Sequence, residues 1–522
     1  MSYLSLNFAL FLAVLLIVYY LVPKNWMKQG VILIGNLFFC WWGGVSALAI
    51  TLVTTFVCYG AALLIERKYA DYEKVKAELP LKERVETFNG YKKKCRVYLY
   101  AALAVSIAIF TYVKIGRYLG WKIGGSGGFV FGKSVIVPIG VSYYTFMLVG
   151  YVLDVYWDKA KAQHNYLKFL MCTTYFPHII SGPFSRLDKL GEQFEHLPKF
   201  EYRRFCFGMQ LTLWGLFQKL VISEGLRTFV TTVKASIEER AGLELIITMV
   251  FGVLYSFTDF SGCMDMVRGI SQVIGVELDE NFRQPFFSRN VGEFWRRWHI
   301  TLGAWMRDYI FIPFTRSRRF RRTGQKLGKK NRVAGILFNV GIPSTLAWLF
   351  SAAWHGTGVH YLLWGVYYTI LLVGAQILEP TFDKWIQRLH IDRESRGWIL
   401  WQRVRTVGLF CIGSSLTSNG SVRGCVFFWK HLFSELRPWV LFDKSLYNYG
   451  LTQREFWMVL FCVGVLMVAE TLKERGVHIR EAIAAKPLVL RWCAYYVLIF
   501  AILIFGFYGP GYNAADFIYA RF

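Results

Sequence analysis

Several histidine and carboxylate side chains occur inside strongly apolar stretches of this sequence. Ionisable groups are costly within a membrane segment and are candidates for function where they occur. His355 is the strongest of them, because it ends one apolar stretch and is followed by Gly356 and Gly358, which let a substrate come close to the backbone. A neutral imidazole suits general base catalysis near neutral pH. His355 is therefore a candidate catalytic base, and a structural histidine bonded to a neighbouring helix is the alternative.

A second cluster interleaves charged and aromatic residues over 281–309. This pattern predicts an amphipathic or re-entrant helix at the membrane interface. Glu293 and Arg297 are four residues apart and are expected to pair on one helical face. His299 follows Arg296 and Arg297, whose charges disfavour its protonated form. Two roles stay open for this cluster: an interfacial anchor of tryptophans and snorkelling arginines, or a neutral histidine that hydrogen-bonds or takes part in catalysis.

Three further polar residues lie in apolar surroundings. Asp259 and Asp265 stand inside the long apolar block 244–275. They are expected to pair with the arginines of the second cluster, and for Asp259 the orientation of a histidine is an equal alternative. His178 stands between Pro177 and the Ser181-Gly182-Pro183 sequence, so its segment is predicted to be an irregular helix break within the membrane region.

The elements that carry these residues are predicted to be transmembrane helices. The chain has 522 residues, of which 55% are hydrophobic and only 18% charged, whereas soluble domains have about 25% charged residues. Apolar residues form continuous blocks of about 20, which match the bilayer core, and helices satisfy their own backbone hydrogen bonds there. We therefore predict an all-α polytopic membrane protein that forms a single integral domain over residues 1–522, with about 11 spans.

The net charge of +26 lies largely in the connections between these blocks. Segment 66–96 is predicted to be an amphipathic cytoplasmic loop with helical character. Segment 316–332 contains no acidic residue and is predicted to be cytoplasmic, facing anionic lipid head groups. The alternative, which is compatible with the first, is a docking surface for an anionic cytoplasmic donor, such as a phosphate-bearing cofactor or an acidic carrier protein. Nucleic-acid binding is not expected, because no soluble domain carries the charge.

The ten cysteines contain no C-x-x-C pair and stand mostly in apolar blocks, where cysteine behaves as a small hydrophobic residue. Neither a metal site nor a disulfide framework is therefore predicted.

The sequence also resembles the membrane-bound O-acyltransferase (MBOAT) family, in particular its bacterial branch with members that O-acetylate alginate or transfer D-alanine to teichoic acids. The resemblance covers nearly the whole chain, with the motifs in family order. The matching segments are VPIGVSYYTF at 137–146, FPHIISGPFSR at 176–186, FTDFSGCMDM at 257–266, ENFRQPF at 280–286, EFWRRWHITLGAWMRDYIFIP at 293–313, AAWHGTGVHYLLWG at 352–365 and the ending GYNAADFIYARF at 511–522.

The resemblance implies a ring of helices around a central tunnel that joins the two membrane faces. His355 matches the histidine taken as catalytic in the family, and His299 matches the second family position. We expect His355 to activate a hydroxyl, and His299 or a nearby backbone N–H to stabilise the oxyanion. Supporting or tunnel-lining candidates are Asp259, Asp265, Arg296, Arg297, Asn281, Trp354 and His178. One departure from relatives is Ser351-Ala352-Ala353, where a glycine-richer run is common, and it affects only local packing.

The implied reaction passes an acyl group, acetyl foremost, from a cytoplasmic thioester to the hydroxyls of an extracellular polysaccharide. The donor, acetyl-CoA or an acyl carrier protein, is a co-substrate, and no permanently bound cofactor or metal is expected. The implied partners are membrane lipids and an extracellular or periplasmic acetyltransferase, and the implied location is a bacterial plasma membrane. Two alternatives are D-alanyl transfer to teichoic acid from a carrier protein, and a transporter or channel without acyl transfer.

Overall fold

The structure of the protein, a computed structural model, describes residues 1–124, 129–130, 133–134 and 138–508. The described chain falls into two compact units. Among the described residues, the first consists of Met1–Met209 with Val267–Asp279, and the second consists of Gln210–Met266 with 280–508. Of the motifs above, Val137 and the ending at 511–522 lie outside the described residues.

The first unit is almost entirely helical. Its helices are α1 (Leu6–Leu21), α2 (Asn25–Trp41), α3 (Val45–Lys76), α4 (Leu81–Gly124), α5 (Val141–Tyr156), α6 (Tyr166–Thr173), α7 (Phe176–Ile179) and α8 (Leu187–Glu195). Two strands, β1 (Phe129–Val130) and β2 (Lys133–Ser134), pair antiparallel. Two longer helices, α9 (Tyr202–Phe217) and α11 (Leu243–Ile274), contribute residues to both units.

Helix α5 forms the centre of the first unit. All but two of its 16 residues are buried, as expected for a helix that is apolar on every side. It begins after Gly140, which has a φ of +67° and stands directly against the carbonyl group of Ile179. Only glycine combines this backbone conformation with such a close approach, so Gly140 sets where α5 can begin.

The second unit contains the remaining described helices. They are α10 (Glu224–Ala235), α12 (Val291–Arg297), α13 (Ile300–Met306), α14 (Ile312–Arg316), α15 (Arg318–Lys330), α16 (Arg332–Ile336), α17 (Ile342–His355), α18 (Val359–Arg388), α19 (Arg396–Ser418), α20 (Val422–Leu432), α21 (Gln453–Glu474), α22 (Ile479–Ala484) and α23 (Leu488–Phe505). Short 3-10 turns occur at Ile237–Glu239, Pro285–Phe287, Pro438–Leu441 and Ser445–Asn448.

Three π-helical turns interrupt this unit, at Gln218–Ser223, Arg307–Phe311 and Leu337–Gly341. The first continues α9 into α10, and the third leads through Gly341 into α17. Single π turns inside helices are rare and are frequent near functional sites. They shift the side chains that follow to another face of the helix, which matters below for Lys219.

Within the described residues, eight helices are long and apolar enough to cross a membrane. They are Val45–Lys76, Leu81–Lys114, Tyr202–Ala235, Leu243–Ile274, Arg332–His355, Val359–Arg388, Gln453–Glu474 and Leu488–Phe505. The prediction of an all-α polytopic protein is therefore confirmed, while the count of about 11 spans stays a prediction. The helix break predicted around His178 corresponds to two separate short helices, α6 and α7, with Pro177 in the first turn of α7.

Both charged segments predicted as loops are helical. Residues 66–96 form the end of α3 and the start of α4, and residues 318–330 form α15. The helical character predicted for 66–96 is thus confirmed, and the cytoplasmic placement of both segments stays a prediction.

Candidate active site

His355 is the last residue of α17, and its tautomer can be read from one contact. Its Nδ1 lies 3.0 Å from the carbonyl oxygen of Ser351, one turn earlier. A carbonyl oxygen can only accept, so Nδ1 carries the proton and Nε2 carries the lone pair. His355 is half-buried rather than enclosed. A neutral imidazole of this tautomer would accept a proton at Nε2.

Aromatic rings hold the imidazole of His355 from two sides. The Trp354 ring centre lies 4.6 Å from it and the Trp364 ring centre 5.2 Å from it. Trp364 in turn packs edge-on against Trp348, at 5.3 Å, and against Tyr368, at 5.5 Å. The side chain that would accept the proton is therefore fixed by packing as well as by its hydrogen bond.

Gly365 allows α18 to bring Trp364 this close. A Cβ atom on Gly365 would lie 2.9 Å from the carbonyl oxygen of Trp348 and 3.2 Å from the Cβ of Ala352, both on α17. The backbones of α17 and α18 thus approach through a position without a side chain. Any larger residue there must separate the two helices.

His299 lies between α12 and α13 and is held by Asn281. The residue is only 3% exposed, and its Nδ1 lies 3.1 Å from Asn281 Oδ1. The same oxygen accepts the backbone N–H of Thr301 at 3.1 Å and the hydroxyl of Thr301 at 3.0 Å. Because a backbone N–H can only donate, the acceptor atom is the amide oxygen, so the Nδ1–H of His299 donates to it. His299 therefore also carries its lone pair on Nε2.

The backbone around His299 is strained and cross-linked. His299 has a φ of +47°, a left-handed conformation that costs energy for a residue with a side chain. It is maintained by a short antiparallel bridge between Phe282 and Trp298 and by the Ile300 N–H, which donates to the Asn281 carbonyl at 3.0 Å. Such strain is commonly found at functional sites.

The two candidate catalytic histidines contact the same indole ring. The Trp354 ring centre lies 6.1 Å from that of His299 and 4.6 Å from that of His355. His299 lies outside the eight candidate spans. Burial lowers the pKa of His299, and the charge that His355 acquires on protonation lowers it further. His299 is therefore a neutral imidazole at working pH.

A buried ion cluster includes Asp259 of α11. The ammonium group of Lys219 lies 2.5 Å from a carboxylate oxygen of Asp259 and 2.5 Å from one of Glu224. Glu224 also pairs with Arg227 at 3.0 Å. Asp259 is adjacent to Phe260, whose ring packs 4.8 Å from that of His299. The cluster thus holds the helix that forms one wall around His299.

Lys219 and Glu224 were not selected from the sequence. For Asp259 we expected a histidine or an arginine, whereas the structure gives it a lysine that stands 40 residues away. The available signal was a single lysine within the apolar block 205–222, five residues before a glutamate. The face of the helix on which Lys219 lies depends on the π turn at Gln218–Ser223, and the sequence does not reveal this turn.

The remaining candidates occupy different surroundings. Asp265 accepts a hydrogen bond from Gln218 at 2.9 Å. Arg297 pairs with Glu293 at 2.8 Å, which confirms the predicted pair, and with Glu474 at 2.7 Å. Arg296 is exposed on α12, and His178 is buried in α7 of the first unit.

Comparison with known proteins gives consistent matches. A model of the MBOAT, membrane-bound O-acyltransferase family, matches residues 158–422. The probable alginate O-acetylase AlgI of Pseudomonas aeruginosa is 27% identical over 369 residues, which are 70% of this chain and 63% of that protein. The teichoic acid D-alanyltransferase of Bacillus subtilis is 27% identical over 348 residues, 60% of this chain and 85% of that protein.

The peptidoglycan O-acetyltransferase of Helicobacter pylori is 27% identical over 267 residues, 46% of this chain and 47% of that protein. The alignment with the Pseudomonas aeruginosa relative, described above, covers less than two thirds of the length of that protein. The region matched by the family model contains His299, His355, Asp259 and Asp265.

Proposed function

Because this chain belongs to the membrane-bound O-acyltransferase family, we propose that it transfers an acyl group, acetyl foremost, from a cytoplasmic thioester to hydroxyl groups of an extracellular polysaccharide. The observation that carries the proposal is the tautomer of His355, whose Nδ1–H is held by the Ser351 carbonyl. The chain is a multi-pass membrane protein, and we place it in a bacterial plasma membrane.

The proposed reaction begins with proton transfer to His355. Its Nε2 accepts the proton of an acceptor hydroxyl while the oxygen attacks the thioester carbonyl carbon. The tetrahedral intermediate collapses, the ester forms, and the departing thiolate takes the proton back from His355. General base catalysis of this kind typically contributes about 10²- to 10⁴-fold to the rate.

The tautomer of His299 gives it a different role from that of His355. A neutral His299 whose Nδ1–H donates to Asn281 has no proton on Nε2 to offer to an oxyanion. We therefore assign the oxyanion contact to backbone N–H groups, the second of the two donors considered from the sequence. His299 acts as a positioning residue, which holds Trp354 and, through this ring, the imidazole of His355.

The donor is proposed to be a diffusible co-substrate, acetyl-CoA or an acyl carrier protein, with no permanently bound cofactor. The acceptor is an exported polysaccharide, and the acetyl group reaches it through a periplasmic or extracellular acetyltransferase partner. Support comes from two relatives whose names specify O-acetylation, the alginate O-acetylase and the peptidoglycan O-acetyltransferase.

D-alanyl transfer to teichoic acid is a second candidate. It is supported by the alignment with the Bacillus subtilis teichoic acid D-alanyltransferase, which covers 85% of that protein. The same base and the same thioester chemistry would serve, so only the acyl group and acceptor differ.

The experiment that tests the proposal compares the ester-linked acids of cell-surface polymers in a deletion strain that carries wild-type, His355→Ala or His431→Ala protein at equal membrane levels. The expected result is that wild type and His431→Ala restore esters and His355→Ala does not. Release of acetate supports acetyl transfer, and release of D-alanine supports the second candidate. Full esterification with His355→Ala contradicts both, and a change in export without any ester points to a transporter.

A further inference from the structure

Helix α15 has an unusual charge for a helix of 13 residues. It carries no acidic residue and seven cations: Arg318, Arg319, Arg321, Arg322, Lys326, Lys329 and Lys330. Among the described residues, none of these seven makes an ion pair with the protein. Their positive charge is therefore not neutralised by the described part of the chain.

Helix α15 packs closely against the rest of the unit at two of its glycines, Gly324 and Gly328. A Cβ atom on Gly324 would collide with the side chain of Asn339, and a Cβ atom on Gly335 would lie 2.5 Å from the Cα of Gly328. Gly324 is also the buried residue of α15. Because the helix is attached along this narrow seam, its long cationic side chains point away from the protein.

A shallow surface cavity of about 560 Å³, largely open to its surroundings, lies beside this helix. Its walls are Pro313, Phe314, Phe320 and Phe338, and the last two rings stack 4.5 Å apart. Arg319 and Thr323, one turn apart on α15, complete the lining together with Ser317. The cavity thus joins an apolar pocket to a guanidinium and two hydroxyl groups.

We propose that this cavity binds one anionic phospholipid. An acyl chain packs against the phenylalanines, and the phosphate lies between the Arg319 guanidinium and the hydroxyls of Ser317 and Thr323. Arginine is well suited to bidentate phosphate contacts.

Two observations favour a lipid over a soluble phosphate compound. The walls are mainly apolar and offer few hydrogen-bond partners to a nucleotide or sugar. The cavity also lies directly before the candidate span Arg332–His355, and clusters of four to eight cations beside a transmembrane helix are typical of anionic-lipid binding. The proposal does not rest on acyl transfer, because lipid binding is measured without any turnover.

The test counts lipids retained by the purified full-length protein. Protein in detergent is incubated with phosphatidylglycerol or phosphatidylcholine and washed, and retained lipid is counted by native mass spectrometry. Arg319→Gln removes the proposed phosphate contact, and Phe338→Trp narrows the cavity without changing charge. Lys329→Gln, at the other end of the same exposed helix, is the matched single-charge control.

Wild type and Lys329→Gln are expected to retain one phosphatidylglycerol per chain. Arg319→Gln is expected to retain at least about thirtyfold less, which exceeds the roughly fivefold effect of losing one cation near a lipid surface, and Phe338→Trp is expected to lose retention as well. Arg319 is exposed, so its variant should fold even where Phe338→Trp does not.

Four results would overturn the proposal. Equal losses in Arg319→Gln and Lys329→Gln would mean diffuse electrostatic attraction only. Equal retention of phosphatidylcholine would remove the role of the anionic head group. Displacement by glycerophosphate at the same concentration as the lipid would mean a soluble phosphate site. Displacement by coenzyme A at that concentration would assign the cavity to the acyl donor instead.

Discussion

The Nδ1 atom of His355 lies 3.0 Å from the carbonyl oxygen of Ser351 on the preceding turn of α17. His431 has the same relationship to the Phe427 carbonyl in α20, also at 3.0 Å. This contact sets the tautomer in both cases, yet it does not by itself make a catalytic residue. His355 differs because Trp354 joins it to His299 and because Trp364 packs against its other side.

Replacement of His355 by alanine is expected to reduce acyl transfer by about 10²- to 10⁴-fold, because the proton acceptor is lost. His431→Ala removes a histidine of the same tautomer and similar exposure and should leave transfer unchanged. Initial rates are measured in membranes that contain equal amounts of each protein. Equal activity of the two variants would contradict the assignment of His355 as the base.

Asn281→Leu is expected to destabilise the protein and to lower kcat by at least about tenfold, a loss of about 1.4 kcal/mol in the barrier. The Asn281 oxygen accepts from His299 Nδ1 and from both the N–H and the hydroxyl of Thr301. Each buried donor left without an acceptor costs about 1–3 kcal/mol. Steady-state kinetics and thermal unfolding in detergent check the two effects.

Thr301→Val is the control for this prediction, since it removes one of the three donors and keeps the acceptor. Its loss of kcat should be clearly smaller than that of Asn281→Leu. A normal kcat in Asn281→Leu, with a lower unfolding temperature, would show that the contact is structural and does not position His299.

Lys219→Met is expected to lower the free energy of unfolding by about 3–5 kcal/mol, the usual effect of breaking a buried ion pair from one side. The substitution takes away the cation between Asp259 and Glu224, both of which are buried. Arg227→Gln at the edge of the cluster should cost less, because that side chain is 28% exposed. The unfolding midpoint of the purified protein measures both.

A triple variant, Lys219→Met with Asp259→Asn and Glu224→Gln, should recover part of the lost stability, because the buried charges disappear together. If the triple variant is less stable than Lys219→Met alone, the cation is not balancing these carboxylates.

Gly365→Ala is expected to reduce acyl transfer, because the added Cβ meets the Trp348 carbonyl at 2.9 Å and must move α18 away from α17. Overpacking of this kind costs about 1–3 kcal/mol and shifts Trp364 relative to His355. Gly374→Ala on the same helix is the matched control, since a Cβ there has no neighbour within 4 Å. The acyl-transfer rates of the two variants are compared. Equal rates would show that the distance between α17 and α18 does not affect the function of His355.

Features that depend on neighbours within one helical turn were predictable from the sequence. Continuous apolar blocks indicated most of the helices, and the four-residue spacing of Glu293 and Arg297 predicted their ion pair, which the structure contains. The helix break near Pro177 was also foreseen, although the short helices on either side of it could not be separated from spans by length alone.

The sequence by itself determined that this is an all-α membrane protein, and it singled out His355 and His299 as candidate catalytic residues. Only the tertiary structure decided their states. Asn281 stands 18 residues before His299, and Lys219 stands 40 before Asp259. The tautomer of each histidine depends on which group the fold brings within about 3 Å of its ring nitrogens. Whether a buried charge such as that of Asp259 is tolerated depends in the same way on the group beside it. Such proximity between distant residues arises from helix packing, for which sequence spacing carries no signal.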